Sequence, residues 1–481
     1  MSESSLPLTA VPHSSALLSS LSPLLAQWLP RQRWFAGKGR PVRDFTLVSA
    51  TEILPMSGRP AGLLHLLVRA RQTPVPHPAE AEAPDGGAAH ADCYQLLLGV
   101  RETAPPELAP AVLGRAEGGP LDGRTVYDAL HDPRLTAVLL ERLRTPGALG
   151  PLRFGRAPDA PLPSGLTARP LAAEQSNSSV VYGDAYILKL FRRVSPGVNP
   201  DLELPRALAR RDAVGSERVP APVAWYETAA GEDGEPMTLG VLQPFLPGTR
   251  DGWQLALEAL GGERDFTADS YALGRATAEV HTGLAEALPV AELDREHLEG
   301  VAAQMTERLE AAAVVVPALR PYVSGLRGAF ADLVRATGPC RAQRVHGDLH
   351  LGQTLRNGDG HWSLIDFEGE PARPLAERRR PQPPVRDVAG MLRSFDYAAC
   401  QSTGGSAVAE EWAVANRHAY CAGYAEAAGA DPREDAALLR AYETDKAVYE
   451  VLYEARHRPD WLPVPLAAVG RLADSPTLRR F

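Results

Sequence analysis

Between Arg344 and Asp366 the chain reads R-V-H-G-D-L-H-L-G-Q-T-L-R, a short polar turn, then H-W-S-L-I-D. Asp348 sits in a His-Gly-Asp-Leu-His loop, Gln353 follows five places on, and Asp366 closes the apolar run Leu364-Ile365. Phosphoryl transfer from a magnesium nucleotide needs these parts. One carboxylate orients and deprotonates the attacking hydroxyl, while an oxygen-bearing side chain and a second carboxylate hold the metal that neutralises the phosphates. His346, Asp348 and His350 at alternate positions could instead ligate zinc or iron, but a hydrolytic metal site needs a further His or carboxylate motif, and none stands nearby. A loop-bracing polar network is the bland alternative. The order Asp, amide, strand-terminal Asp favours phosphotransfer, with His346 and His350 as braces and His350 within reach of the acceptor.

Composition sets the frame for these residues. At 481 residues, 44% hydrophobic and 23% charged, the chain has the ordinary globular balance and length for about three domains or two large lobes with an added module. A net charge of -9 and a single short basic cluster, Arg378-Arg379-Arg380, exclude a general nucleic-acid binder. Cys93, Cys340, Cys400 and Cys421 form no C-x-x-C pair, which disfavours a zinc site or a disulfide framework and predicts reduced thiols. No leader-like start and no apolar run of about 18 residues is present, so the expectation is a soluble, cytoplasmic protein with no membrane partner.

The elements that position the site are read in chain order. Ser14 to Pro30 carries leucines at helical spacing. In R-Q-R-W-F-A-G-K-G-R (Arg31 to Arg40), Trp34 and Phe35 are expected in the local core, in preference to an anion-binding loop. Strands are expected at Phe45–Val48, Gly62–Val68 and Tyr94–Val100, with Thr73 to Ala91 as a disordered insertion. A helix is expected over Gly123–Leu143 and a connector over Pro146–Pro163. Leu171–Val181 and Ala185–Phe191 read as strand, turn, strand, and Lys189 alternates against Leu188 and Leu190. A lysine there must snorkel or meet an anion. Kinase-like folds pair such a lysine with a glutamate on the next helix, which makes Glu203 the expected partner and the nucleotide phosphates the target. Ser176, in a loop without the glycines of G-x-G-x-x-G, and Gln243, in the strand Thr238–Phe245, join this ATP-binding set. Pro247-Gly248 then marks the passage to helices at Tyr271–Leu288, Leu298–Leu309, Tyr322–Ala336, Arg386–Ala399, Glu410–Ala428 and Asp435–His457. His281 is expected to be a buried, satisfied histidine.

H-G-D-L-H followed by I-D-F-E resembles the catalytic and metal loops of aminoglycoside-phosphotransferase-like kinases. The blocks Asp366–Pro371, Leu375–Arg379 and Arg386–Ala398, with Gln32-Arg33-Trp34 and Tyr442–Leu462, are similar to actinobacterial maltokinases. That resemblance implies an α+β, bilobal protein kinase-like fold: a cap domain over 1–103, a β-rich lobe over 104–248 and a helical lobe over 249–481. It implies Asp348 as catalytic base, Gln353 and Asp366 as magnesium ligands, and Lys189 with Glu203 as the phosphate-orienting pair. Gln353 stands where the wider superfamily has Asn. The implied reaction is ATP-dependent phosphorylation of maltose at its anomeric hydroxyl, with trehalose synthase as a partner. The rivals are a kinase of another sugar, above all glucosamine, and an inactive kinase-like scaffold.

In the last long helix Leu438, Ala441, Val448, Leu452 and Ala455 make an apolar stripe, while Tyr442, Lys446, Tyr449 and Tyr453 adjoin it with Glu450 and Glu454 beside them. A solvated helix and a sugar-binding wall explain this pattern equally well. The resemblance favours the sugar, with Trp461 closing the pocket and Glu368 and His350 contributing from the catalytic region.

Overall fold

The computed structural model describes residues 14–72, 91–171, 176–209, 213–229, 234–336, 338–371, 373–403 and 407–474. The chain divides into two compact units, Met1–Leu202 with Pro222–Pro247 and Glu203–Ala221 with Gly248–Phe481. The break after Pro247 falls at the Pro-Gly read as the passage between β-rich and helical sequence.

The first unit opens with α1 (Ser14–Trp28) and an antiparallel sheet of β1 (Val42–Leu54), β2 (Gly62–Gln72), β3 (Ala91–Arg101), β4 (Val112–Arg115) and β5 (Thr125–Asp128), ordered β1-β2-β3-β5-β4. Most of the Thr73–Ala91 stretch lies outside the described residues. A second sheet follows from β6 (Gly147–Leu149), β7 (Leu152–Arg156), β8 (Ala168–Pro170), β9 (Ser178–Tyr182) and β10 (Tyr186–Leu190). β11 (Arg193–Val194) returns to the first sheet by pairing with β3. β12 (Ala224–Thr228) and β13 (Met237–Pro244) complete the second in the order β6-β7-β12-β13-β10-β9-β8.

The run Leu63 to Val68 is apolar almost without alternation because both faces of β2 are covered. Leu64, Leu66 and Val68 pack with α1, Trp34 and Phe35. Leu63 and Leu67 point the other way, into a core shared with Leu188, Tyr226 and Leu239 of the second sheet. Trp34 and Phe35 thus lie in the local core, as expected.

Several expectations are corrected here. The helix predicted over Gly123–Leu143 begins only at α2 (Pro133–Arg144), and its first part is β5. Asp132 accepts the Arg134 amide as N-cap and Pro133 occupies the first turn, a start signal that outranks the apolar spacing upstream. The predicted connector Pro146–Pro163 contains β6 and β7, and β12 was not anticipated. β6, β7 and β12 are short and lack the apolar runs on either side of a polar turn that mark the equally short β9 and β10. The first sheet takes in β4, β5 and β11, all beyond residue 103.

After α3 (Pro200–Leu208), the second unit is built from α4 (Gly252–Gly261), α5 (Thr267–Ala287), α6 (Arg295–Val315), α7 (Val323–Ala336), α8 (Leu375–Arg378), α9 (Val385–Thr403), α10 (Ala407–Ala428), α11 (Ala436–His457) and α12 (Pro463–Asp474). Their apolar faces meet in one core that includes Leu273, Phe330, Phe395, Tyr420 and Val448. Among these helices run β14 (Arg250–Asp251), β15 (Ala291–Leu293), β16 (Cys340–Ala342), β17 (Thr354–Arg356) and β18 (Trp362–Leu364), of which β14, β17 and β18 form a small sheet whose β17 and β18 follow the loop carrying Asp348. Among the described residues no helix is long and apolar enough to cross a membrane.

Candidate active site

The loop carrying Asp348 is held by a buried carboxylate on α9. Asp387 Oδ2 accepts the His346 amide at 2.7 Å and Oδ1 the Gly347 amide at 2.8 Å. Gly347 has φ +85°, a left-handed turn that only glycine adopts without cost. α9 approaches so closely at Gly390 that a Cβ there would stand 2.5 Å from the Leu349 carbonyl. His281, 4% exposed, faces Asp387 Oδ2 through Nε2 at 3.0 Å and the Tyr424 hydroxyl through Nδ1 at 2.9 Å, so it is buried and satisfied as expected. Burial alone would raise the Asp387 carboxyl, but His281, His346 and the Gly347 amide outweigh it and hold the group below its ordinary range.

The two histidines of the loop brace it. His346 donates from Nε2 to the Ile365 carbonyl at 2.9 Å, and its ring lies 4.6 Å from that of Phe367. His350 Nδ1 accepts the Gly352 amide at 3.1 Å and so caps the single turn Leu351–Gln353. Desolvation lowers the His350 pKa, Asp348 opposes this, and Lys446 adds to it. With Nδ1 accepting from the Gly352 amide, the proton of the neutral ring lies on Nε2.

Gln353 and Asp366 meet across the β17–β18 hairpin. Gln353 Nε2 donates to Asp366 Oδ2 at 3.1 Å, and the Ile365 amide donates to the Gln353 carbonyl at 3.0 Å. Asp366 itself adopts φ +67°, a conformation that costs a non-glycine residue energy and that functional sites retain. An amide oxygen and a carboxylate are hard donors of the kind magnesium takes, so this pair fits that ion.

Asp348 lies on a recess lined by Gly347, Leu349, Glu370, Arg386, Tyr442, Asp445 and Lys446. Lys446 donates to Asp348 Oδ1 at 2.7 Å and to Glu370 Oε1 at 3.0 Å. Glu370, 3% exposed, also meets Arg373 at 2.5 Å and Arg386 at 2.8 Å. Burial would raise the Glu370 carboxyl, yet Lys446, Arg386 and Arg373 hold it well below the carboxylate range. For Lys446 the signs reverse: burial disfavours its charge, but Asp348 and Glu370 keep it protonated far above neutrality. Asp445 is matched by Arg308 at 2.8 Å and Arg373 at 3.2 Å. Every carboxylate lining the recess therefore meets a cation of the chain.

The predicted sugar wall on α11 separates into two parts. Lys446 is at Asp348, Tyr449 receives the Lys446 ammonium 4.8 Å above its ring, and buried Tyr442 lines the recess. Further along, Glu450 is taken by Arg393 at 2.8 and 3.0 Å, and Glu454 by Arg458 at 2.6 Å. Tyr453 stacks on Tyr449 with ring centroids 6.4 Å apart, and Arg458 covers both Tyr453 and Trp461. At about 1.5 Å per residue the end of α11 at His457 lies roughly 16 Å along the axis from Lys446. Glu368, half-buried, gives its carbonyl to Arg378 at 2.7 Å.

In the first unit Lys189 finds a different partner from the one predicted. Its Nζ donates to Asp201 Oδ2 at 3.0 Å, whereas Glu203 accepts from Arg344 at 2.7 Å. Helix phase is the reason: positions two apart are rotated by about 200° on α3, so Asp201 and Glu203 face opposite sides. The Asn199 side chain fixes the helix start by accepting the Asp201 amide at 2.9 Å. Ser176 is exposed and accepts from Asn177, and Gln243 lies opposite Ile187 on the strand next to β10. Asp201, Glu370, Arg386 and Asp387 had no role assigned from sequence. A charge inside an otherwise apolar helix, as in V-R-D-V-A-G-M-L, is the signal that marks Arg386 and Asp387.

Residues 28–132 match the maltokinase N-terminal cap domain, and residues 167–452 match the phosphotransferase enzyme family. The chain belongs to this phosphotransferase family. It is 32% identical over 331 residues to the glucosamine kinase of Mycolicibacterium smegmatis, a match that spans 64% of this chain and 80% of the relative. With the glucosamine kinase of Streptacidiphilus jiangxiensis it shares 27% identity over 432 residues, 84% of this chain and 94% of the other. A solved glucosamine kinase, crystal form B, superposes with a TM-score of 0.66 at 23% identity, covering 94% and 99% of the two chains. A glucosamine kinase in complex with glucosamine, ADP and inorganic phosphate gives 0.63, covering 94% and 98%. The fold is thus kinase-like with an N-terminal cap, as the sequence resemblance implied. The chain is an ATP-dependent phosphotransferase with a hydroxyl acceptor, a sugar kinase.

Proposed function

We propose that this kinase phosphorylates maltose at its anomeric hydroxyl, giving maltose 1-phosphate. Asp348 orients the sugar hydroxyl and takes its proton, while Lys189, paired with Asp201, and Ser176 and Gln243 contact the nucleotide. Gln353 and Asp366 would hold magnesium, which when bound offsets charge on the phosphate oxygens. Tyr442, Lys446 and Tyr449 face the acceptor together with His350, whose Nε2–H is available to a sugar oxygen. Glu203, Glu368, Tyr453, Glu450, Glu454 and Trp461 act at the margin through the partners described above.

The observation that carries the substrate choice is the Lys446 contact with both Asp348 and Glu370. Selecting an amino sugar requires a carboxylate left for its ammonium. Here each recess carboxylate meets a cation of the chain, so a neutral sugar enters without charge repulsion and a protonated amine does not. The cap match supports the same reading. The named relatives, both glucosamine kinases, favour the second reading, phosphorylation of glucosamine. A panel of maltose, glucosamine, glucose and trehalose with magnesium ATP, with products assigned by phosphorus NMR, decides between them. Preference for glucosamine overturns the maltose assignment. Trehalose synthase is the partner this reading names, and co-sedimentation of the two purified proteins tests it.

A further inference from the structure

The residue three places beyond Lys189 is a buried arginine that the phosphotransfer chemistry does not use. Arg192 has a side chain 3% exposed. Its Nη2 donates to Asp128 Oδ2 at 2.8 Å, and its Nε donates to Ser178 Oγ at 2.8 Å. Its guanidinium carbon sits 4.9 Å from the Trp34 ring centroid. Asp128 and Trp34 belong to the cap-domain match, residues 28–132, whereas Ser178 begins β9, two places after Ser176 and opposite Leu190 of the Lys189 strand.

The anchor on the cap side is rigid. Trp34 is wedged against Trp28 at 5.6 Å and Tyr94 at 5.9 Å, and Asp128 Oδ1 accepts the Leu130 amide at 3.1 Å. The main chain is tied on the same side. Gln95 donates its amide to the Arg192 carbonyl at 2.8 Å and its side chain to the Phe191 and Leu239 carbonyls at 2.9 and 2.8 Å. β11 then continues directly into the first sheet beside Tyr94 and Cys93. A guanidinium can place both of its arms on one carboxylate. Arg192 divides them, one arm on the cap carboxylate and one on the strand that leaves Ser176.

We propose that Arg192 is a positioning residue for the nucleotide: through it the cap domain fixes the β9 edge and the Lys189 strand against which ATP phosphates are held. This rests on the reading that Lys189 and Ser176 contact the nucleotide.

The test uses the full chain and reads ATP and sugar dependence separately, with magnesium ADP affinity by calorimetry. Arg192→Met breaks a buried pair and risks the fold, so Ser178→Ala, Asp128→Asn and Arg192→Lys are the informative variants. Ser178→Ala and Asp128→Asn are each expected to raise the KM for ATP and weaken magnesium ADP binding about tenfold, the loss carried by one hydrogen bond to a charged group. The sugar KM and the kcat at saturating ATP stay at wild-type values. Arg192→Lys, which keeps the charge but cannot reach both partners, shows the same ATP defect. Folded variants with unchanged ATP KM, or with ATP and sugar KM raised equally, overturn the proposal. Lys189→Ala separates its failure from that of the underlying reading: a normal ATP KM there removes the nucleotide assignment itself. An ATP defect in Lys189→Ala without one in Ser178→Ala sinks only the role of Arg192.

Discussion

Both compact units bury polar side chains, but they use them differently. In the β-rich unit the buried groups tie strand to strand. Arg101 spans Tyr127 at 2.8 Å and Asp132 at 2.6 Å, and Gln95 joins His65, Tyr226 and two backbone carbonyls. In the helical unit they converge on one loop, where Lys446, Arg386 and Arg373 surround Glu370 beside Asp348. A polar group that closes on its own partners adds definition to a fold. One that surrounds a recess sets the charge a ligand meets there.

This contrast is breakable by mutation. The largest effect is expected from Asp348→Ala, which should lower kcat by roughly 10²–10⁴-fold, the usual worth of a general base, with magnesium ADP affinity and Tm near wild type. A variant with normal turnover would remove Asp348 from the mechanism. Arg101→Met in the other unit should do the converse. Leaving Asp132 buried without its cation costs about 3–5 kcal/mol of stability by denaturant titration, while kcat per folded molecule is retained.

The pH response separates the units again. Burial lowers the His65 pKa from its ordinary value to about 4, against which its hydrogen bond to Gln95 is the smaller influence. Above pH 6.5 the ring is neutral in folded and unfolded chains alike and contributes no pH dependence. As pH falls from 6.5 toward 4 only the unfolded chain takes up the proton, so stability is lost across that window, by about 3 kcal/mol at most. His65→Phe should flatten that part of the stability–pH curve, and an unchanged slope would contradict the assignment. The smallest effect concerns selectivity. Lys446→Met leaves Asp348 and Glu370 with one cation fewer and should shift the ratio of kcat/KM toward glucosamine about tenfold, readable from the sugar panel even as overall activity falls.

What could be read in the sequence follows the range of the interactions. Asp348, Gln353 and Asp366 were legible because one short loop and one hairpin join them, and the pairing of Thr354 with Leu364 leaves little choice of where Gln353 and Asp366 meet. The helices of the second unit were legible for a similar reason, since an apolar stripe at helical spacing repeats over many residues. β6, β7 and β12 are short and lack the apolar runs that mark β9 and β10, and the apolar residues before Asp132 fit strand as well as helix.

The amino-acid sequence by itself determined the meeting of Gln353 with Asp366 beside the Asp348 loop, the order of strands before helices and the chain's family. Only the tertiary structure decided which carboxylate meets Lys189, since one helix phase separates Asp201 from Glu203. It alone also brought Glu370, Arg386 and Lys446, far apart in the chain, onto the same side of Asp348. Spacing along a chain sets local geometry, whereas the meeting of distant charges depends on how helices pack, and that packing is chosen by the apolar core beneath them.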